Sequence, residues 1–208
     1  MSSPVLQKTS SLIVDSIAKQ GYAVIEQFLS REAIQALAKQ AKDLQSTGEM
    51  HQATTGIAKI ETLSIRGDFI RWIEATQASD AEQVYLAAMS DLQLAINQAF
   101  FLGLFELESH FAIYPAGAGY QKHLDQFIGK EERKVSCILY LNDHWKSESG
   151  GQLRMYLDKK DESNFIDINP QGGTLVVFLS SDFLHEVLPA KSERISVTGW
   201  FRTRGTSV

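Results

Sequence analysis

A chain of 208 residues, 44% hydrophobic, 22% charged and with four prolines, is long enough for one domain with a sizeable core and is composed like neither a disordered nor a fibrous protein. Its formal net charge of −5 argues against a nucleic-acid partner, which usually demands a basic footprint. No apolar run reaches the roughly 18–20 residues that span a bilayer, so no membrane association is expected. The first twenty residues lack the basic and apolar regions of a signal peptide, and the lone Cys137, inside the apolar run KVSCILYLN, reads as a buried thiol rather than half of a disulfide. A cytoplasmic location follows as the expectation.

In chain order, SSLIVDSIAKQGY reads as an amphipathic helix closed by Gly21, and YAVIEQF as a short strand. SREAIQALAKQAKDLQ is a second helix, with Ser30 placed to cap it and Glu32 in its first turn. SDAEQVYLAAMSDLQLAINQAFF is a third, with Leu86, Met89, Leu92, Leu94 and Ile96 assigned to its apolar face. Between the last two lies a polar, small-residue stretch that turns strand-like, expected to be a loop over about 46–68 beside the site. From residue 104 the pattern becomes β. LESHFAIYP, KVSCILYLN, GQLRMYL, FIDINP, GTLVVFLS, HEVLPA and RISVTGWFR are short, β-branched and aromatic, and separated by YPAGAG, SESGG and NPQGG turns. The expected fold is α+β: a β sandwich or barrel over 104–204 with the helices of 1–103 packed on one side, in a single domain of 1–208.

The chemistry begins at GYQKHLDQF. His123 and Asp125 stand two apart, so in an extended segment they project to one face. A third ligand must come from His51, His110, His144 or His185. His51 is in the polar loop. His110, on an alternating strand, reads as a satisfied structural histidine. His144, in NDHWKSESGG, reads as solvent-facing. His185 opens a strand at the rim of the β core, where it can reach inward. Two imidazoles and one carboxylate occupy one face of an octahedral metal and leave the other open, as in non-haem Fe(II) oxygenases. Arg194 follows nine residues later inside an apolar run, where burial demands an anion. A turn at PAKSE is expected to return its strand alongside that of His185, with the guanidinium placed to clamp a carboxylate.

HLD, the distal LHEV and the ERISVTGWF arginine resemble the 2-oxoglutarate- and Fe(II)-dependent dioxygenases, which use a double-stranded β-helix (jelly roll). The wider match, with YPAGAGYQKHLD, CILYLN, SGGQLRMY and LHEVLPA, spans about 140 residues and looks like the prolyl 4-hydroxylases, particularly bacterial relatives of the animal hypoxia-sensing enzymes. The resemblance implies that His123, Asp125 and His185 bind Fe(II). It implies that Arg194 pairs with the distal carboxylate of 2-oxoglutarate, helped by the Tyr140 hydroxyl, with Tyr114 in the same pocket and Leu153, Val187 and Trp200 as its apolar walls. Arg66 and Asp68 are then candidate substrate contacts. The implied reaction is hydroxylation of a prolyl C4 in a flexible loop of a protein, with O2 consumed, succinate and CO2 released and ascorbate stimulatory. Elongation factor Tu is the implied partner. Retention of Asp125 favours hydroxylation over halogenation. Hydroxylation of another residue or of a small molecule, and a metal or 2-oxoglutarate sensor without turnover, stand as alternatives.

Overall fold

The computed structural model describes residues 4–54, 66–126 and 132–204. The middle of the loop expected at about 46–68 therefore lies outside the described residues.

Three helices precede the β core. α1 (Pro4–Gln20) ends at Gly21, which has φ 81° and donates its N–H to Ile17 O at 2.8 Å. The chain then enters β1 (Tyr22–Ile25). α2 (Arg31–Ser46) starts at the expected cap, Ser30, whose hydroxyl accepts from Ala33 N. α3 (Asp80–Phe100) opens on a capping box in which Ser79 and Glu82 satisfy each other's backbone N–H groups. Met89, Leu92 and Ile96 recur at helical spacing and are fully buried, with Leu86 packed partly against them. Leu94 does not belong with them: it is 58% exposed. Two positions on from Leu92 is about 200° of helical rotation, which turns the side chain to the far side.

The remaining strands are β2 (His51–Gln52), β3 (Phe69–Trp72), β4 (Glu106–Tyr114), β5 (Tyr120–His123), β6 (Arg133–Tyr140), β7 (Leu153–Tyr156), β8 (Phe165–Ile168), β9 (Leu175–Leu179), β10 (His185–Val187) and β11 (Arg194–Arg202). They form two antiparallel sheets. The larger has the order β1-β9-β6-β11-β4-β3-β2 and the smaller β5-β10-β7-β8. All seven β runs read from residue 104 onward are strands. This is a double-stranded β-helix with helices on the outer face of the large sheet.

Parity on the large sheet sorts its side chains. On β6, Val135, Cys137 and Leu139 join the helix-facing core with Met89, Leu92 and Leu37, whereas Ile138 and Tyr140 face the small sheet. β9 divides the same way, Leu175 and Val177 against Val176 and Phe178. Both faces are covered, so these strands read as continuous apolar runs rather than as alternating ones. Arg194, Ser196, Thr198 and Trp200 on β11, and His110, Ala112 and Tyr114 on β4, share the inward parity.

One connection differs from expectation. β10 pairs with β5 and β7, while β11 pairs with β4 and β6. The PAKSE turn carries the chain from the small sheet to the large one, so Arg194 faces the His185 strand across the sandwich instead of lying beside it. Among the described residues, no helix is long and apolar enough to cross a membrane.

Candidate metal centre and anion pocket

The open end of the sandwich holds a cleft of about 400 Å³, its mouth included, between the inward faces of the sheets. His123 closes β5 and His185 opens β10, and the two are register partners, which sets their rings 4.3 Å apart. Asp125 follows β5. One ligand atom from each of the three lies within 4.8 Å of the others, the spacing of a set that can hold a single metal ion.

Each group is oriented by a second contact. His123 Nδ1 lies 2.7 Å from Gln121 O and His185 Nδ1 lies 3.1 Å from Phe183 O. Both rings therefore donate from Nδ1 to a carbonyl and present the Nε2 lone pair inward, as metal-binding histidines do. Each Nε2 is 3.6 Å from an Asp125 oxygen. Ser136, inward-facing on β6, donates to Asp125 Oδ2 at 2.7 Å, and its own Oγ lies 2.9 Å from that of Ser180. Oδ1 is thus the oxygen left for a metal, and the carboxylate from the small-sheet side is pinned to the large sheet. Burial would raise the Asp125 carboxyl, but the neighbouring imidazoles and the Ser136 hydroxyl outweigh it and hold it below its ordinary range. Burial pushes His185 down to about 4 against the pull of Asp125. Both groups are in their ligating forms near neutral pH.

Arg194 lies deeper in the cleft at 2% exposure. Its Nε donates to Gly151 O at 2.9 Å, and its Cζ sits 5.1 Å from the Tyr114 ring centre and 5.0 Å from that of Tyr140. Among the described residues no carboxylate pairs with it. The Tyr140 hydroxyl is buried without a hydrogen-bond partner. A cation and an unpaired hydroxyl in one apolar recess form a cradle for a carboxylate that the chain does not supply. Leu153, Val187 and Trp200 line the cleft as expected. The donor set suits Fe(II) and the cradle suits a dicarboxylate, so the residues present fit both groups the sequence implied.

Arg66 lines the cleft mouth and donates to both oxygens of Asp68, at 2.6 and 2.9 Å. Asp68 is 0% exposed and holds Arg66 through this pair. His144 is exposed, as read. His110 is buried, but its Nδ1 has no partner, so it is not the satisfied histidine expected.

Sequence reasoning missed Ser136, Ile138, Thr198, Tyr120 and Asn142. The first two share parity with Tyr140, and Thr198 shares it with Arg194 and Trp200, so the period of two could have found them. Asn142 left no local signal. Its side chain donates to Pro170 O and Ile195 O and accepts from Ile195 N, tying the start of β11 in place next to Arg194.

Two imidazoles and a carboxylate beside a buried arginine without an acidic partner among the described residues, in a double-stranded β-helix, make a site that can hold a metal ion next to an organic acid. The family model described as the 2OG-Fe(II) oxygenase superfamily matches residues 109–202. The crystal structure of a Pseudomonas putida prolyl-4-hydroxylase is 47% identical and superimposes with a TM-score of 0.85 over 94% of this chain and 100% of that one. A prolyl hydroxylase from Trichoplax adhaerens, solved with a fragment of the oxygen degradation domain of hypoxia inducible factor, is 25% identical with a TM-score of 0.86 over 95% and 90% of the two chains. Egl nine homolog 1 of Homo sapiens is 32% identical over 207 residues, which is 95% of this chain and 47% of that protein. The chain spans about half the length of the curated relatives it matches. It belongs to the 2OG-Fe(II) oxygenases, in their prolyl-hydroxylase branch.

Proposed function

We propose that the protein is a 2-oxoglutarate-dependent prolyl 4-hydroxylase, with His123, Asp125 and His185 holding Fe(II) and Arg194 holding the distal carboxylate of 2-oxoglutarate. The observation that carries this reading is Arg194, a buried cation with no acidic partner among the described residues, in the same cleft as a three-ligand metal set. When bound, the iron supplies O2 activation coupled to decarboxylation of 2-oxoglutarate to succinate and CO2, with one oxygen atom passing to the prolyl C4. The chain's own part is placement. The Nδ1–H bonds aim both imidazoles. Ser136 turns one Asp125 oxygen away and leaves the other to bind. Arg194 and the Tyr140 hydroxyl would hold one carboxylate of the dicarboxylate in the cleft that also contains the triad. The apolar walls keep bulk water from the reacting atoms.

The substrate reading is a prolyl residue in a flexible loop of a protein. The Trichoplax adhaerens prolyl hydroxylase was solved with a peptide fragment of the hypoxia inducible factor oxygen degradation domain, which supports a polypeptide substrate here. We further propose elongation factor Tu as the protein that carries this loop, which would place the reaction in the cytoplasm. Arg66, at the cleft mouth, is the proposed contact to that loop. Purified protein with Fe(II), 2-oxoglutarate, ascorbate and a lysate of cells lacking it, followed by mass spectrometry of tryptic peptides, tests both levels. One prolyl peptide gaining a single oxygen, and losing the gain with Asp125→Ala, supports the reading and names the partner. Succinate without prolyl oxidation moves the target to another residue or a small molecule. Neither product overturns the enzyme in favour of a sensor.

A further inference from the structure

His110 is a buried titratable group that this reaction leaves unused. It faces inward from β4, edge-on to Trp72 at 4.8 Å between centroids and tilted against Trp200 at 5.5 Å. Its Nε2 is 3.4 Å from Arg66 Nη2, and its Nδ1 has no partner. A guanidinium can only donate. The contact is therefore favourable only when Nε2 carries a lone pair, which puts the single ring proton on Nδ1. The other tautomer would set two N–H groups against each other and gain nothing at Nδ1, which is unpartnered either way. An imidazolium would set a second cation against the first. The charged and titratable groups around the ring are Arg66 and Asp68 before β3, Arg133 on β6, His51 on β2 and Asp125 after β5. Burial first, then Arg66 and Arg133, push His110 well below its ordinary value, so it is neutral near pH 7.

Arg66 is then held on three sides. Nε and Nη2 donate to Asp68, Nη2 also meets His110, and the guanidinium lies over the Tyr120 ring at 4.9 Å. Nη1 is the arm of the guanidinium that neither Asp68 nor His110 engages. We infer that His110 is a positioning residue, a neutral imidazole with its proton on Nδ1 that accepts from Arg66 and fixes the guanidinium so that Nη1 meets an acceptor on the polypeptide substrate. The inference rests on the reading of Arg66 as the contact at the cleft mouth.

Two measurements test it. In protein labelled with ¹⁵N-histidine, long-range ¹H–¹⁵N spectra at pH 7 assign the tautomer of each ring, and the signals absent from His110→Gln identify this one. The expected pattern is Nδ1–H, shifting to Nε2–H in Arg66→Ala. An Nε2–H or doubly protonated ring in the unmutated protein overturns the inference. In hydroxylation of purified elongation factor Tu, His110→Phe, which cannot accept, should raise KM about tenfold with a smaller change in kcat, the size of one lost bond to a charged group. His110→Gln, whose amide oxygen accepts, should recover most of that loss. Equal KM values for the two variants overturn it. If the unmutated protein leaves elongation factor Tu unmodified, it is the proposed partner that fails, and the tautomer spectra decide His110 by themselves.

Discussion

At the scale of single residues, the site depends on groups that touch neither ligand. Ser136 would act on a bound iron only through Asp125, so on the proposed ligand set Ser136→Ala should weaken Fe(II) binding about 10- to 100-fold, as loss of a hydrogen bond to a ligating residue typically does. Metal titration of the apo-protein gives the number, and an unchanged affinity would show that Asp125 holds its orientation without help. Arg194 is a sharper case. Arg194→Lys keeps the charge but loses both the fork and the Nε bond to Gly151. Calorimetry should show 2-oxoglutarate affinity falling at least about tenfold, since a hydrogen bond to a charged group contributes on the order of 1.5–3 kcal/mol. A lysine that bound as tightly would mean that charge alone recruits the co-substrate. These roles were unevenly legible. The H-x-D spacing, a distal histidine and an arginine in an apolar strand are visible in one dimension because each breaks a local rule. Ser136 and Asn142 are not, because a serine or asparagine in a strand breaks no rule until its partner is known.

At the scale of elements, the turn after β6 shows how loops hold the anion pocket. Gly150 and Gly151 have φ of 70° and 72°, and a Cβ at Gly150 would stand 2.4 Å from Pro189 O. The turn places the Gly151 carbonyl on Arg194. Gly150→Ala must therefore distort either the turn or the Pro189 segment. It should cost on the order of 1–3 kcal/mol in urea denaturation and weaken 2-oxoglutarate binding in parallel. Loss of stability with intact binding would separate the turn from the pocket. The helices and strands themselves were largely readable, with the Ser30 hydroxyl and the left-handed backbone of Gly21 marking ends by chemistry that acts within a few residues. Which sheet a strand joins was not readable. The PAKSE turn looks like a hairpin, yet it crosses between sheets, because both β10 and β11 already have other partners on each side. Leu94 was misplaced for a simpler reason: in a leucine-rich helix, composition alone overstates the width of the buried stripe.

For the molecule as a whole, buried histidines govern the response to acid. His185 has its pKa lowered to about 4, and His110 is held well below its ordinary value. The unfolded chain takes up protons at both near the model-peptide value of about 6.5, so between there and the folded values it binds more protons than the native state. Stability of the metal-free protein should therefore be flat above about pH 7 and fall as pH drops through 6.5 toward 4. Urea midpoints at pH 7.5, 6 and 5 will show it, and His110→Phe should flatten the decline. A midpoint that rose on acidification would mean that one of these rings is charged in the native state.

The division of the site between the two sheets has a further consequence. His123 and His185 ride on the small sheet, Arg194 on the large one, and Asp125 is fastened across the gap by Ser136. If the triad holds iron and Arg194 the co-substrate, the gap between the two would be set by the side chains wedged between the layers, among them Ile138 and Val187. Those two residues work as spacers. A bulkier or smaller one would leave every ligand intact yet change the angle at which the co-substrate reaches the metal. On the proposed function, the yield of hydroxylated product per succinate would then gauge interlayer packing, and a drift in that ratio would report a loosened core.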